Sequence, residues 1–343
     1  MKQTSLYFTA PGRVALETSP LPAPARGEIL VRTLISAISP GTEMLIYRGQ
    51  APADMPVDET LPALQGDFRF PLKYGYSAVG EVIQLGQGVS GDWQGKLVFS
   101  FHPHESHFRC SPEDLLPVPL GVKLEDAAFL PNMETAVNFL MDGKPAIGEQ
   151  VVVFGQGVVG LLTAALLAKM PLASLVTVDR YPARRRRSVN LGATASLDPD
   201  EPDALSMVMS ALQDGREYAG ADLAYELSGN PEALDMIVAA AGFNGRIVIG
   251  SWYGKKESKL HLGGRFHRHR IRLVSSQVST IGPQWSGRWN KSRRLEVAWS
   301  MLRQMRPSHL ITHRFPIGQA AKAYEMLDQN PEEAIQVMLT YQD

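Results

Sequence analysis

The sequence predicts an α/β protein built on a doubly wound parallel sheet, with a β-rich region ahead of it. Three observations carry that prediction. Val151, Val152, Val153 and Phe154 form a short β-branched apolar run, the pattern of a strand buried on both faces. Gly155, Gly157 and Gly160 follow it as G-x-G-x-x-G, and a Leu/Ala run then continues for about three turns without Pro or Gly, as a buried helix would. Beyond it, short apolar runs alternate with amphipathic stretches, the rhythm of strands joined by crossover helices.

Each glycine has a physical role. Gly155 permits a tight turn, Gly157 lets the backbone approach a pyrophosphate, and Gly160 lets helix and strand pack closely. The phosphates are expected at the helix start, Val158 and Val159, where free N–H groups and the dipole favour an anion. A second apolar run, Ser174 to Val178, ends in Asp179, nineteen residues beyond Gly160, where an acid takes the ribose hydroxyls of NAD. The alternative is a Gly-rich turn with no ligand. A carboxylate repels a 2′-phosphate, so Asp179 favours NAD over NADP. Arg180 and the run Arg184 to Arg187 are the groups that would clamp a 2′-phosphate, unless they form only a solvated basic face. Ser228 with Gly229, and Gly250 with Ser251, close later strands on the edge where a dinucleotide lies.

Composition bounds the rest. The chain has 343 residues, comfortable for two domains, and at 44% hydrophobic and 20% charged it has an ordinary globular composition. A net charge of −1 gives no global field toward nucleic acid or membrane. Cys110 is the single cysteine, which excludes an intrachain disulfide framework and a cysteine-rich zinc lobe. The first residues show no signal-peptide pattern, and the longest apolar helical run, Val158 to Ala168, is too short to span a bilayer. A cytoplasmic enzyme acting on a small molecule is the expectation, with a homodimer possible.

Taken in order, residues 1–122 read as β-rich, with alternating runs at 28–34 and 79–85 between Gly and Pro turns. Residues 50–70, with Pro52, Pro56 and Pro62, read as an irregular surface loop or a lid. Helical patterns begin at Leu124 and continue from Met133 to Met141. Strands are expected at 150–154, 174–178, 222–227 and 246–250, with helices at 183–191, 202–213 and 231–241. A helix over 317–329 and a strand over 334–341 close the chain.

This order resembles the medium-chain dehydrogenase/reductase family, the zinc alcohol dehydrogenases and their relatives. The matching stretches are Ser39-Pro-Gly-Thr-Glu43 with Ile46-Tyr-Arg-Gly49, Pro71 to Val82, Ala127 to Ala136, and Ile311-Thr-His-Arg-Phe-Pro-Ile317. The resemblance implies a GroES-like β-rich catalytic domain from 1–122 and 296–343, and a doubly wound Rossmann nucleotide-binding domain from 123–295. The Gly-Thr-Glu form of the first motif also resembles the bacteriochlorophyllide hydroxyethyl dehydrogenase branch, a pointer to a bulky substrate.

The departures from the family pattern are chemical. Where its zinc form has a first Cys ligand this chain has Pro40, where it has His this chain has Tyr76 followed by Ser77, and where it has a second Cys this chain has Pro131. Proline has no side-chain donor and a neutral phenol is a poor zinc ligand, so no zinc and no other metal is expected. His102, His104, His107 and Glu105 are weighed as a metal site against a loop whose histidines contact substrate or solvent.

Without zinc, hydride transfer still needs a proton donor for the substrate oxygen. By the resemblance, Thr42 matches the family's proton-relaying hydroxyl, Tyr76 fills the missing His position, and Thr135 matches a threonine near the nicotinamide. Glu43 and Glu134 are expected to tune Thr42 or Tyr76. The plain alternatives are that Thr42 caps a turn, Tyr76 fills space and Glu134 pairs with a nearby base. The basic segment 265–294, with Trp285 and Trp289 among its arginines, reads as a helix start with solvated charges or as a pocket for an anionic or flat substrate; no nucleic-acid module is visible. The expected function is a zinc-independent NAD(P)-dependent oxidoreductase on an alcohol/carbonyl pair. The alternatives are an enoyl or quinone reductase, or a catalytically silent dinucleotide sensor.

Overall fold

The computed structural model describes residues 2–212 and 219–341. It divides into two compact units, Met1–Pro131 with Trp299–Asp343, and Asn132–Ala298. Both boundaries fall later than the expected 122/123 and 295/296. The reason is local: Asp126 of the short helix Leu124–Ala127 accepts the Ser308 N–H at 2.7 Å, and Glu125 pairs with Arg314 at 2.6 Å, so this helix belongs to the first unit.

In the first unit, Lys2–Ala10, Arg13–Pro20 and Leu72–Lys73 form an antiparallel sheet of three strands. A larger sheet runs in the order Ile311–Pro316, Gln336–Thr340, Ile29–Ile38, Ala78–Leu85, Leu97–Ser100, Leu116–Pro117, and His107–Cys110 also pairs with Ile29–Ile38. The late strand Gln336–Thr340 pairs with Ile29–Ile38 in the register Val337↔Ile38, so the tail completes the sheet begun near the start of the chain. Ile29, Val31, Val82 and Val98 are fully buried in one core cluster with Phe108. The stretch 50–70 has no helix or strand, as expected, but it is more than a surface loop. A bridge joins Pro56 to Asp67, and Val57, Leu64 and Phe68 are buried.

The second unit holds a parallel sheet of six strands in the order Ala195–Leu197, Ser174–Val178, Gln150–Phe154, Ala221–Glu226, Ala241–Ile249, Arg272–Ser275. Counted along the chain this is 3-2-1-4-5-6, the doubly wound Rossmann arrangement. The strands read as unbroken apolar runs because helices cover both faces. Val152, Phe154, Val176, Ala224 and Ile247 pack with Val208 and Ile237, while Val151, Val153, Leu175, Leu223 and Val248 pack with Leu167 and Phe139. The expected helices appear as Pro182–Asn190, Ala204–Ala211 and Ala233–Ala240; position 213 of the second lies outside the described residues. No helix among the described residues is long and apolar enough to cross a membrane.

The histidine-rich stretch corrects an expectation, for it is not a loop presenting imidazoles to solvent. His104 is fully buried, His102 is 9% exposed and stacks on Phe108 at 4.0 Å, and His107 lies in a strand paired with Arg32. His102 and His104 are core groups, and His107 is half-buried. Burial holds the His102 imidazole down at about 4 against an ordinary value of about 6.5, opposed by the nearby Glu105 carboxylate. The unfolded chain therefore takes up this proton first as pH falls, so stability is full above about 6.5 and drains away between about 6.5 and about 4. From pH 7.5 to pH 5 this amounts to about 2 kcal/mol. His102→Asn is expected to lose that much less over the same interval when urea unfolding is compared at the two pH values. Equal losses in both proteins would refute the assignment.

Candidate functional site

The second unit builds a phosphate-sized turn from sterics. Gly155 has φ +89, and a Cβ there would lie 2.5 Å from the backbone of Leu227 and Ser228. The turn leaving the first strand thus presses against the turn leaving the fourth, where the strand order reverses. A Cβ on Gly160 would lie 1.9 Å from the Gly155 carbonyl oxygen, so the helix Val158–Leu167 starts flush against the turn. A Cβ on Gly157 would meet nothing within 4 Å, which leaves open space at the helix N-terminus beside Val158 and Val159. These residues fit a dinucleotide: two glycines create the turn and the third leaves room at the amides.

Asp179 is tied to the same turn. It is 7% exposed, and its carboxylate accepts the Gln156 N–H at 2.7 Å and the Tyr181 N–H at 2.8 Å. The neighbouring arginines are engaged elsewhere. Arg185 donates to the carbonyls of Asp179 and Arg180 and pairs with Asp198 at 2.7 Å, Arg180 pairs with Asp200 at 3.3 Å, and Arg184 lies over the Tyr181 ring at 4.6 Å. On the far side of the switch, the Gly229 N–H donates to Ser251 Oγ at 2.9 Å, and the Gly250 N–H to the Glu226 carbonyl at 3.0 Å. Ser228 donates its N–H to Glu226 Oε1 at 2.8 Å and its hydroxyl to the same oxygen, while Tyr253 O–H reaches Oε2 at 2.6 Å. Glu226 and Tyr253, absent from the sequence reading, therefore fasten the two turns that carry the expected serines and glycines.

Thr135 lies half-buried on the helix Leu130–Gly143. Glu134 lies one turn from the start of that helix. Its carboxylate receives Arg294 at 2.9 and 3.1 Å, both residues being buried. Burial raises the Glu134 carboxyl above its ordinary value, against the downward pull of the guanidinium. The pairing with a nearby base, weighed above as the plain alternative, is present.

The first unit gathers hydroxyls where the resemblance would place metal ligands. Tyr76 O–H donates to Ser39 Oγ at 2.5 Å and is also hydrogen-bonded with Thr42. Ser39, Pro40, Thr42 and Tyr76 are all half-buried, so the cluster reaches the surface of the unit. Burial raises the Tyr76 phenol, with Glu43 adding to the rise and the Ser39 and Thr42 hydroxyls opposing it. Beneath lies Glu43, fully buried in the first turn of the helix Thr42–Tyr47. Its carboxylate accepts the Ser39 N–H at 2.8 Å, His104 Nε2 at 3.0 Å and the Tyr324 O–H, while the Ser39 carbonyl accepts the Glu43 N–H at 3.0 Å. His104 Nδ1 continues to Ser36 Oγ at 2.7 Å and Ser36 to Tyr341 O–H at 2.8 Å. Ser39, Thr42, Glu43, Tyr76 and His104 were singled out in the sequence, but their joining was not; Ser36, Tyr324 and Tyr341 are brought in by folding.

These residues do not fit a catalytic zinc. Pro40 and Pro131 offer no side-chain donor, the Tyr76 phenol is pushed toward its neutral form, and Ser77 is spent on the Ala128 carbonyl at 2.6 Å. Among the described residues no three or more His, Cys, Asp or Glu side chains gather in a way that could hold a metal ion.

Known proteins share the fold. Residues 158–294 match the family model described as zinc-binding dehydrogenase. The D-guloside 3-dehydrogenase of Escherichia coli (strain K12) is 23% identical over 98% of this chain and 99% of its own length. The 2-desacetyl-2-hydroxyethyl bacteriochlorophyllide A dehydrogenase of Cereibacter sphaeroides is 25% identical over 97% and 96%. The solved structure of an Escherichia coli CFT073 alcohol dehydrogenase with NADH superposes with a TM-score of 0.79 over 99% of both chains at 17% identity, a likeness of fold. With its G-x-G-x-x-G turn at a 3-2-1-4-5-6 sheet and a β-rich unit completed by its own tail, the chain carries a segment of the zinc-binding dehydrogenase family and is similar over nearly its whole length to zinc-type alcohol dehydrogenases.

Proposed function

We propose that this protein is an NAD(H)-dependent oxidoreductase that moves hydride between the nicotinamide and an alcohol/carbonyl substrate, with side-chain hydroxyls in place of a zinc ion. The observation that carries the reading is the bond from Tyr76, at the position where the family's zinc form has its His, to Ser39, which adjoins Pro40 and lies beside Thr42. When bound, the dinucleotide supplies the hydride acceptor or donor. The chain supplies the rest. Gly157 and the amides at Val158 and Val159 take the phosphates, and Asp179 takes the ribose hydroxyls. Tyr76, kept protonated by burial, donates to a carbonyl oxygen in reduction and takes the proton back in oxidation, with Ser39 and Thr42 as its hydrogen-bond partners. Similarity to dehydrogenases of a guloside and of a bacteriochlorophyllide supports a secondary alcohol on a ring as the substrate class.

Turnover is measurable as NADH oxidation against a panel of ketones, enones and quinones, and as NAD reduction with ring-borne secondary alcohols. Tyr76→Phe is expected to lower kcat roughly a hundredfold, the usual size of a lost general acid, and to leave NADH affinity unchanged. If Tyr76→Phe and Thr42→Ala both leave turnover untouched, the hydroxyl assignment is wrong. Elemental analysis bears on the metal: a stoichiometric transition metal that leaves together with activity on chelation overturns zinc independence.

Cofactor choice rests on Asp179. Its fixed carboxylate opposes a 2′-phosphate, and the arginines beside it are committed to Asp198, Asp200 and backbone carbonyls. Calorimetry is expected to find NADH bound more tightly than NADPH, and Asp179→Asn to shift the ratio toward NADPH by about tenfold. Tighter NADPH binding by the unaltered protein would reverse the preference.

A further inference from the structure

Arg294 is the largest fully buried side chain of the protein's described residues, and neither the sequence reading nor the proposed reaction uses it. A guanidinium has five N–H donors, and all five are engaged. Nε and Nη2 each give one to Glu134 Oε1, at 3.1 and 2.9 Å. Nη1 donates to Asn138 Oδ1 at 2.6 Å and to the Thr280 carbonyl at 3.2 Å, and Nη2 also donates to the Val278 carbonyl. The network goes one step further. Asn138 Nδ2 donates to Ser276 Oγ at 3.0 Å and to Asp142 at 2.9 Å, and Ser276 Oγ donates to the same Asp142 oxygen at 2.6 Å. Three elements are therefore clasped: the helix Leu130–Gly143, the start of the helix Lys291–Met305, and the segment 276–280 between them.

That segment emerges from the carboxyl end of Arg272–Ser275, the outermost strand on one flank of the parallel sheet. A dinucleotide crosses a doubly wound sheet at its switch point, one nucleotide on each flank. Asp179 marks the flank that takes the adenosine ribose, at the end of Ser174–Val178. The nicotinamide half then falls to the other flank, over the ends of Ala221–Glu226, Ala241–Ile249 and Arg272–Ser275. We propose that Arg294, through Glu134 and Asn138, is a positioning residue that fixes the segment Val278–Thr280 as the seat of the nicotinamide end of the cofactor. The inference rests on the dinucleotide reading above and adds the group that shapes one half of that site. The Val278 and Thr280 carbonyls, both held by one cation, fix this stretch of backbone. A lysine would keep the charge but offers three donors from a single point, too few and too close together to hold Glu134, Asn138, Val278 and Thr280 at once.

The test compares NADH with ADP-ribose, which has the same adenosine half and pyrophosphate but no nicotinamide. Both are titrated calorimetrically into the full-length protein, into Arg294→Lys and into Asn138→Ala, with circular dichroism confirming that each is folded. The expected result is ADP-ribose affinity unchanged in both variants, with NADH affinity reduced roughly tenfold in Arg294→Lys and by a smaller factor in Asn138→Ala. Should Arg294→Lys fail to fold, Asn138→Ala alone decides. An unchanged ratio of the two affinities in a folded variant overturns the inference, as does a parallel loss of both, which marks a general structural defect. Failure of the unaltered protein to bind either molecule overturns the dinucleotide reading itself, a result distinct from both.

Discussion

The close approach at Gly155 governs the architecture of the nucleotide-binding unit. A side chain there would collide with the backbone of Leu227 and Ser228, and one at Gly160 with the carbonyl of Gly155. Three stretches far apart in sequence meet as a result: the turn after Phe154, the end of Ala221–Glu226, and Asp179, whose carboxylate is bonded to the amide of Gln156. None of them can shift alone. The helix Val158–Leu167 inherits its starting point from this contact, so the open space above Gly157 follows from tight packing below it. The apolar strands supply the driving force. Val151, Val152 and Val153 are fully buried, and each contributes about 1.5–3 kcal/mol by leaving water.

Both units solve one electrostatic problem in the same way. Glu43, Glu134 and Glu226 are buried carboxylates, and an isolated buried charge would be strongly unfavourable. Each is surrounded by donors alone: Ser39 N–H, His104 and Tyr324 for Glu43; Arg294 for Glu134; Ser228 and Tyr253 for Glu226. Removing one partner of such a set is worth several kcal/mol because the remaining charge is left uncompensated. Tyr324 carries the mark of this: burial first, and then the Glu43 carboxylate, hold its phenol well above the usual value, so it serves only as a donor. The acids thus act as anchors for backbone and hydroxyl groups, a different role from the proton exchange that a sequence invites for any Glu near a motif.

How much of this was legible follows from the range of the interactions. The strands 150–154 and 174–178 were readable to the residue because burial on both faces leaves an unbroken apolar signature, and the glycines because their constraint is local. The helix at 204–211 was readable in type, with its ends two residues off, since its cap, Asp203, makes no side-chain bond to mark the start. Arg294 was not legible. In sequence it sits in a basic run at a helix start, indistinguishable from the solvated Arg288 and Arg293, and only folding brings it to Glu134, 160 positions away, through two hydrogen bonds. The histidines misled for a related reason. Three imidazoles within six residues look like one cluster, yet His102 stacks on Phe108, His104 bonds Ser36 and Glu43, and His107 lies in a strand paired with Arg32.

Exchanging a metal for a phenol changes what the surrounding protein must do. A divalent ion brings full charge to a substrate oxygen, whereas on the reading proposed above Tyr76 brings an O–H dipole whose strength depends on orientation and on exclusion of water. Orientation is supplied from below. Ser39, the acceptor of that O–H, is held at its own amide by Glu43, and Glu43 is held in turn by His104 and Tyr324, which is wedged between Tyr47 and Phe8. On the reading proposed here the buried chain from Tyr341 through Ser36 and His104 to Glu43 therefore has a catalytic rationale without touching the substrate. It removes the freedom of the serine against which the phenol is set. A metal site tolerates small errors in its ligands because the ion's charge acts in every direction. A hydroxyl pair does not, and on that same reading the depth of the polar network under Ser39 is the structural counterpart of the difference.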